Sequence, residues 1–300
     1  MQTPPHDKKS SFSLANISPV WLIVGGGVLL LFCGVATVIC MATFLFVRTT
    51  PNEEVILVPP TPLRATELPT SENPVATVTL AAPSTDGQVT AVYLETAPTI
   101  DGNLAEWNEI PTFTAAHIVE REASWDGSMD VESVWRVGWD EQNLYLAVAV
   151  TDNIHVQTRE PKFAYLGDSL ELQFDTNIQA DYGPNVSRDD YQYVVSPGNF
   201  ADRAPGSFRF RGDAQGVMSD FVGSNAQVAA AKTADGYTLE MVIPWSDLEV
   251  QPTANMILGA AFSLNDLDTP GTAVQELMLS HVATRRWSDP SSWGTLELGP

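Results

Sequence analysis

Cysteine is nearly absent from this sequence, and the only two, Cys33 and Cys40, lie in one apolar run near the amino terminus. The rest of the chain therefore has no disulfide available to it. Secreted eukaryotic domains are often cross-linked by disulfides. If the rest of the chain lies outside the cell, the lack of cysteine therefore favours a prokaryotic surface protein over a eukaryotic one.

Basic residues are also scarce. The chain has 15 lysines and arginines against 37 aspartates and glutamates, which gives a formal net charge of −22. Phosphate groups are bound by cationic side chains that displace counterions, so this balance argues against nucleic acid as a partner. The excess of carboxylates has two explanations, solubility and the binding of Ca²⁺ by some of them, and the sequence leaves both open.

The common signatures of catalysis are missing. No G-x-S-x-G, HExxH, P-loop or Rossmann glycine pattern occurs. Three histidines of the carboxyl-terminal part, His117, His155 and His281, are scattered and lack the spacing of metal ligands. Carboxylates suited to glycoside hydrolysis are plentiful, but no pair stands out. The sequence therefore predicts that the protein is not an enzyme.

Charge is absent from a long segment near the amino terminus. No charged side chain occurs between Lys9 and Arg48, and residues 20–47 are almost uninterrupted apolar sequence. About 20 apolar residues are enough to cross a hydrocarbon core of roughly 30 Å. The apolar core of a cleaved signal peptide is only about 7–15 residues long, so we interpret this run as an uncleaved membrane anchor. Lys8 and Lys9 precede it, which predicts a cytoplasmic amino terminus.

These features divide the chain into four predicted segments. Proline recurs seven times between residues 51 and 83, and because proline fixes φ and removes a backbone donor, this stretch predicts an extended spacer. The segments are a cytoplasmic tail over 1–18, a single transmembrane helix over 19–47, a Pro/Thr-rich extracellular linker over 48–88 and a folded domain over 89–300. The predicted location is the plasma membrane, with the carboxyl-terminal domain outside the cell.

The folded domain is predicted to be all-β. Residues 144–150 form a continuous apolar run, and residues 169–175 and 237–243 alternate between apolar and polar side chains. No segment keeps a helical period for three turns, and many short strands indicate an antiparallel, jelly-roll-like β-sandwich or a barrel. The other strand candidates are 131–139, 190–196, 226–232, 257–264, 274–280 and 294–298.

Tryptophan is the most informative residue type of this domain. Most of its tryptophans are expected in the core: Trp135 and Trp139 lie in a strand pattern, and Trp107 follows a turn. Trp287 instead lies in a polar, proline-containing loop before the last strand, where an indole is hard to bury. An exposed indole in a loop is a stacking surface for a sugar or another ring.

Seven short motifs occur in an order that resembles family 9 carbohydrate-binding modules, and together they cover residues 91–300. Each motif alone is common, whereas the ordered series is specific. The motifs are Ile100-Asp101-Gly102 with Trp107, Val137-Gly138-Trp139-Asp140 with Leu144-Tyr145, Thr151-Asp152, Gly167-Asp168-Ser169-Leu170-Glu171 with Phe174-Asp175, Gly236-Tyr237 with Glu240 and Ile243-Pro244-Trp245, Asn265-Asp266, and Trp287-Ser288-Asp289-Pro290 with Trp293-Gly294.

The resemblance implies an antiparallel β-sandwich that binds a polysaccharide or oligosaccharide without altering it. In such modules two aromatic rings hold the sugar, and the motif positions assign these rings to Trp287 and Tyr165. The resemblance also assigns a polar ligand contact to Glu171, and it places Asn265 and Asp266 in the same site.

Structural Ca²⁺ is a further implication of the resemblance. Four oxygen-bearing residues border strand ends, where hard ligands of this kind could converge on the ion. They are Asp101, Asp152, Asn153 and Asp168. The alternative is that Asp101 and Asp152 only cap turns.

Two alternatives to sugar binding stay open. Val194 stands where an arginine can serve the ligand in the family, and Ser263 stands where a longer amide side chain would reach the sugar. These departures favour an adhesion module that has lost sugar binding and binds a protein. Related DOMON-like sandwiches instead bind haem for extracellular electron transfer through methionine and histidine ligands, for which His281 with Met129 or Met278 is available.

Overall fold

The computed structural model describes residues 87–121, 125–272 and 274–300. Short strands dominate this part of the chain. The strands are β1 (Gln88–Tyr93), β2 (Phe113–Thr114), β3 (His117–Glu120), β4 (Val131–Trp139), β5 (Asn143–Asp152), β6 (Ser169–Asp175), β7 (Asp190–Ser196), β8 (Gly206–Gly212), β9 (Met218–Phe221), β10 (Gln227–Lys232), β11 (Gly236–Pro244), β12 (Ile257–Asp266), β13 (Leu277–Ser280) and β14 (Gly294–Leu298). The helical segments between them are only three to six residues long, at Leu104–Trp107, Pro161–Leu166, Ile178–Asp181, Trp245–Asp247 and Pro290–Ser292.

The strands form two layers that one strand joins. The first layer has the order β10-β11-β5-β4-β1, and the second has the order β1-β14-β12-β6-β7-β8-β9, with β13 and β3 attached beside β12. Strand β1 belongs to both, because its first residues pair with β14 and its last residues pair with β4. The side chains between the layers form one apolar core, in which Trp135 of the first layer lies against Phe262 of the second.

The predicted all-β sandwich is confirmed, but its predicted antiparallel pairing is wrong at β1. This strand runs parallel to both β4 and β14, so the sheet is mixed. No hairpin connects β1 to either neighbour, and β14 comes from the opposite end of the domain. The apolar alternation of a strand reports which face is buried and carries no information on strand direction, so the sequence pattern could not reveal the parallel pairs.

Strand β5 shows why some strands read as continuous apolar runs. Its even-numbered residues, such as Leu146, face the core, while Tyr145 and Ala147 on the other face are buried under Trp107. The covering loop is held by the buried carboxylate of Glu240, which accepts a hydrogen bond of 2.7 Å from Trp107 Nε1. A strand that is buried on both faces needs apolar side chains on both.

The predicted transmembrane helix lies in a part of the chain that the structure does not describe. Among the residues that the structure describes, no helix is both long and apolar enough to span a bilayer. The predicted tail and membrane span, residues 1–47, lie outside the described residues. The same holds for the predicted linker up to residue 86.

Candidate functional site

A cavity of about 280 Å³ opens on the second layer, on the face that points away from the core. Strand β6 explains its position, because Leu170, Leu172 and Phe174 face the core and Glu171 and Gln173 therefore face the other way. The neighbouring strand β7 continues this polar surface. Its pairing with β6 sets Gln192 opposite Gln173 and Val194 opposite Glu171.

Trp287 and Tyr165 both line this cavity. Trp287 is 47% exposed, as its polar loop predicts, and two glutamines hold it over the sheet. Its indole Nε1 donates a hydrogen bond of 2.7 Å to Gln192 Oε1, and its backbone oxygen accepts one of 2.6 Å from Gln173 Nε2. Tyr165 is half-buried on the helical turn Pro161–Leu166.

A buried ion pair forms the floor of the cavity. Glu171 accepts hydrogen bonds from Arg285 Nη2 at 2.8 Å and from Gln192 Nε2 at 2.9 Å. Arg285 Nε donates to Gln173 Oε1 at 2.9 Å. Because the two charges are buried together and each also bonds a glutamine, the side chains of the floor are fixed in place.

Asn265 and Asp266 lie in different surroundings although they are adjacent in β12. Asn265 is on the cavity face, where its Nδ2 donates a hydrogen bond of 3.1 Å to Glu171. This bond helps to fix the position of the Glu171 carboxylate in the floor of the cavity. Asp266 is on the core side at the end of the strand, away from the cavity. Val194 and Ser263, where the sequence departs from the family pattern, are both buried on the cavity face beside Glu171.

Chemically, the described residues of this cavity offer stacking and hydrogen bonding. Two amphipathic rings stand beside a fixed set of donors and acceptors. This combination suits a ligand with both apolar faces and hydroxyl groups. Sequence reasoning missed Arg285 and Gln192. The alternation of residues in β7 could have indicated that Gln192 faces the cavity. The position of Arg285 could not be predicted in this way, because it depends on how the loop that carries Arg285 folds over Glu171.

An acidic cluster lies between the two layers at one end of the sandwich. Carboxylate oxygens of Asp130, Asp266 and Asp268 lie within 4.8 Å of one another. Buried oxygens of Asp266 and Asp268 have no hydrogen-bond partner among the described residues. Burial raises the pKa of Asp266 to about 9, and the nearby charge of Asp168 adds to this shift. Three carboxylates lie close together here, and two of them have an oxygen without a hydrogen-bond partner among the described residues. Such hard oxygen ligands fit Ca²⁺.

A histidine bridges two of the predicted metal ligands. Nδ1 of His155 lies 3.2 Å from a carboxylate oxygen of Asp152 and 3.2 Å from one of Asp168. Burial alone would lower the pKa of His155, but its hydrogen bonds to the two aspartates outweigh this and raise it to about 10. The positive imidazolium therefore neutralises part of the charge at Asp152 and Asp168.

The other two predicted metal ligands are separated by the fold. Asn153 adjoins the acidic cluster, since its Nδ2 donates to Asp130 Oδ1 at 3.1 Å. Asp101 lies on the outer face of the first layer, where its backbone nitrogen donates to Glu240 at 3.0 Å. Its carboxylate accepts a bond from the nitrogen of Asn103 and so caps a turn. Asp101 therefore does not share a site with Asp152 and Asp168.

The histidine considered as a haem ligand is already engaged. Nδ1 of His281 accepts a hydrogen bond from the Phe262 nitrogen at 3.1 Å, and its Nε2 lies 3.0 Å from the Gly87 oxygen. Both ring nitrogens are thus used inside the protein. Met278 is buried beside the cavity and Met129 is exposed. This geometry gives the haem alternative no support.

A β-sandwich with a ring-lined cavity on the outer face of one layer has the architecture of a ligand-binding module. The chain belongs to the carbohydrate family 9 binding domain-like family, which it matches over residues 100–299. The family is one of non-catalytic binding domains. The predicted resemblance to this family is confirmed.

Several known proteins contain a similar segment. The endo-1,4-beta-xylanase A of Thermotoga neapolitana is 27% identical over 222 residues, which are 71% of this chain and 18% of that protein. The exoglucanase XynX of Acetivibrio thermocellus is 28% identical over 211 residues, 70% of this chain and 17% of that protein. The chain thus spans less than a fifth of the length of these relatives.

Solved structures show the same fold. A carbohydrate-binding module of family 9 from Caldicellulosiruptor kristjanssonii, in complex with cellotriose, superposes with a TM-score of 0.54 at 22% identity. The superposition covers 71% of this chain and 93% of that module. The same TM-score and identity are found for its complex with glucose. At this identity the likeness establishes a shared fold.

Proposed function

We propose that the described domain binds an oligosaccharide in the cavity without altering it, and that Trp287 and Tyr165 hold the sugar ring. The observation that carries this proposal is the half-exposed indole of Trp287, which lines the same cavity as Tyr165 above the Glu171–Arg285 ion pair. An indole in this position loses water when the apolar face of a pyranose stacks on it. The fixed polar floor then orients the hydroxyl groups.

The magnitudes are consistent with a weak to moderate binder. If each ring removes about 80–100 Å² of apolar sugar surface from water, at ~25 cal/mol/Å², the two rings contribute roughly 4–5 kcal/mol before ordering costs. Hydrogen bonds from the floor add to this. The resulting dissociation constant falls between about 1 mM and 1 μM.

Glucans and xylans with β-1,4 linkages are the first ligands to test. The similar modules were solved with cellotriose and with glucose, and the similar longer proteins are a xylanase and an exoglucanase. The acidic composition, with a formal net charge of −22, further disfavours anionic polysaccharides.

Calorimetric titration of the full chain with cellotriose, xylotriose and glucose tests the proposal. A polyoxyethylene detergent suits this experiment, because detergents with sugar head groups would compete for the cavity. We expect saturable binding of at least one sugar in the millimolar to micromolar range. Absence of binding to all three, and to a wider glycan panel, would contradict the proposal and favour the protein-binding alternative.

We further propose that the chain is a single-pass protein of the plasma membrane and displays this domain outside the cell. The support is the uncharged apolar run over 19–47, with Lys8 and Lys9 before it and the proline-rich segment 48–88 after it. Protease added to intact cells is expected to remove the carboxyl-terminal domain. A domain that stays protected until the membrane is broken would contradict this topology.

We also propose that the acidic cluster holds a structural Ca²⁺. Asp130, Asp266 and Asp268 would provide the carboxylate ligands, since their oxygens lie together and two of them are unpaired. When bound, the ion would neutralise the mutual repulsion of these groups and tie the loop before β4 to the end of β12. Asp152 and Asp168 would stay paired with His155 beside it.

A further inference from the structure

A patch of phenylalanines adjoins the cavity. We call Phe163, Phe208, Phe210 and Phe221, together with Lys162, the phenylalanine shelf. The rings of Phe208, Phe210 and Phe221 contact one another edge to face, with centroids 4.9–5.8 Å apart. Phe221 is 60% exposed and Phe163 is 45% exposed. Clustered exposed aromatic side chains mark interaction sites on soluble domains.

The strand register makes the shelf continuous with the cavity. Gln173, Gln192, Phe210 and Phe221 are paired in turn across β6, β7, β8 and β9, so they form one row on one face of the sheet. The two glutamines hold Trp287 at one end of this row, and the exposed ring of Phe221 lies at the other. Phe210 belongs to both surfaces, because it also lines the cavity.

The helical turn Pro161–Leu166 joins the two surfaces a second time. Tyr165 of this turn lines the cavity, while Lys162 and Phe163 belong to the shelf. The ammonium group of Lys162 lies 3.6 Å from the centroid of the Phe221 ring, where a cation is attracted to the π face. The shelf therefore combines apolar ring faces with a hydrogen-bond donor, as the cavity does.

The size of the cavity limits what it can enclose. Its volume of about 280 Å³ lies just below the roughly 300–1,000 Å³ that is typical of small-molecule pockets. A glycan chain that is longer than the cavity extends out of it, either into solvent or over the adjoining surface. The cavity is lined by the carboxylate of Glu120 and also by Phe210, which belongs to the shelf. Stacking on pyranose faces favours the shelf.

We infer that the phenylalanine shelf is a second binding surface, which receives the following sugar units of a β-1,4-linked glycan whose first units occupy the cavity. This inference rests on the proposed function. The ring faces would stack on the sugars, and the ammonium group of Lys162 would donate to their hydroxyl groups. The protein would then bind long chains more tightly than short ones.

Titration of the full chain with cellobiose and cellohexaose tests the inference. We expect the wild type to bind cellohexaose at least about tenfold more tightly than cellobiose, because one ring buries on the order of 50–100 Å² of sugar. Phe221→Ala should lose about this factor in affinity for cellohexaose and keep its affinity for cellobiose. Phe163→Ala repeats the test from a different element of the fold. Ile257→Ala, an exposed apolar residue that is 40% accessible and outside the shelf, is the control.

The outcomes separate the two proposals. Binding of both sugars with equal affinity, or an equal loss for both in Phe221→Ala, would overturn the shelf and leave the cavity proposal standing. Binding of neither sugar, nor of the other glycans of the panel, would overturn both. Should Phe221→Ala unfold, Phe221→Leu keeps the apolar volume without the ring, and unchanged cellohexaose affinity in this variant would also overturn the shelf.

Discussion

Replacement of Trp287 by alanine is expected to weaken oligosaccharide binding about 30- to 70-fold. The indole is half-exposed over the cavity, so its loss forfeits the burial of about 80–100 Å² of sugar surface, or roughly 2–2.5 kcal/mol. Calorimetric titration of the full chain with cellotriose measures the change. Thermal unfolding of the same sample should be nearly unaffected, because the indole contributes little to the core.

Trp125 provides the matched control for this variant. It is 40% exposed and does not line the cavity, so Trp125→Ala is expected to bind with unchanged affinity. Tyr165→Ala is expected to weaken binding as well, though less, because a phenol ring offers a smaller surface than an indole. Equal affinity of wild type and Trp287→Ala would show that the ligand does not stack on this ring.

Sequence pattern predicted the central strands well. The predicted bounds of β4, β6, β7 and β14 agree with the structure, because apolar alternation and flanking turn residues coincide there. Five strands were missed, namely β1, β2, β3, β8 and β9. In β8, Phe208 and Phe210 alternate with Arg209 and Arg211, a period of two that predicts a buried phenylalanine face, whereas the structure buries Arg209 on the opposite face.

The structure explains the pattern of β8. Its arginines lie on the inner face and are neutralised by carboxylates of a loop that follows β11: Arg209 contacts Asp247, and Arg211 makes two hydrogen bonds to Glu249. The phenylalanines lie on the outer face and form the shelf. Strand β8 thus inverts the usual arrangement of apolar and charged faces, and only its tertiary partners reveal this.

Local sequence pattern also predicted part of the candidate site. The polar loop of Trp287 indicated its exposure, and the alternation of β6 indicated that Glu171 faces away from the core. The partner of Glu171 could not be predicted, since Arg285 approaches from a loop more than 100 residues later in the chain. Likewise, Asp130 and Asp268 meet only because two strand ends from different layers converge.

Removal of Ca²⁺ is expected to lower the melting temperature of the domain by about 5–10 °C. An ion present at about 100 times its dissociation constant stabilises the folded state by roughly 2.7 kcal/mol, and a domain of this size loses about 2–4 °C per kcal/mol. Calorimetric melting of the full chain in Ca²⁺ and in excess chelator measures the difference.

Two variants decide whether the acidic cluster is responsible. Asp268→Asn removes one charge from the group with unpaired oxygens, so the difference between Ca²⁺ and chelator should largely disappear. Asp202→Asn changes an exposed carboxylate in a loop outside the cluster, and the full difference should remain. Identical melting curves of the wild type in Ca²⁺ and in chelator would exclude a stabilising ion at this cluster. Protonation would then relieve the repulsion among Asp130, Asp266 and Asp268, in line with the raised pKa of Asp266.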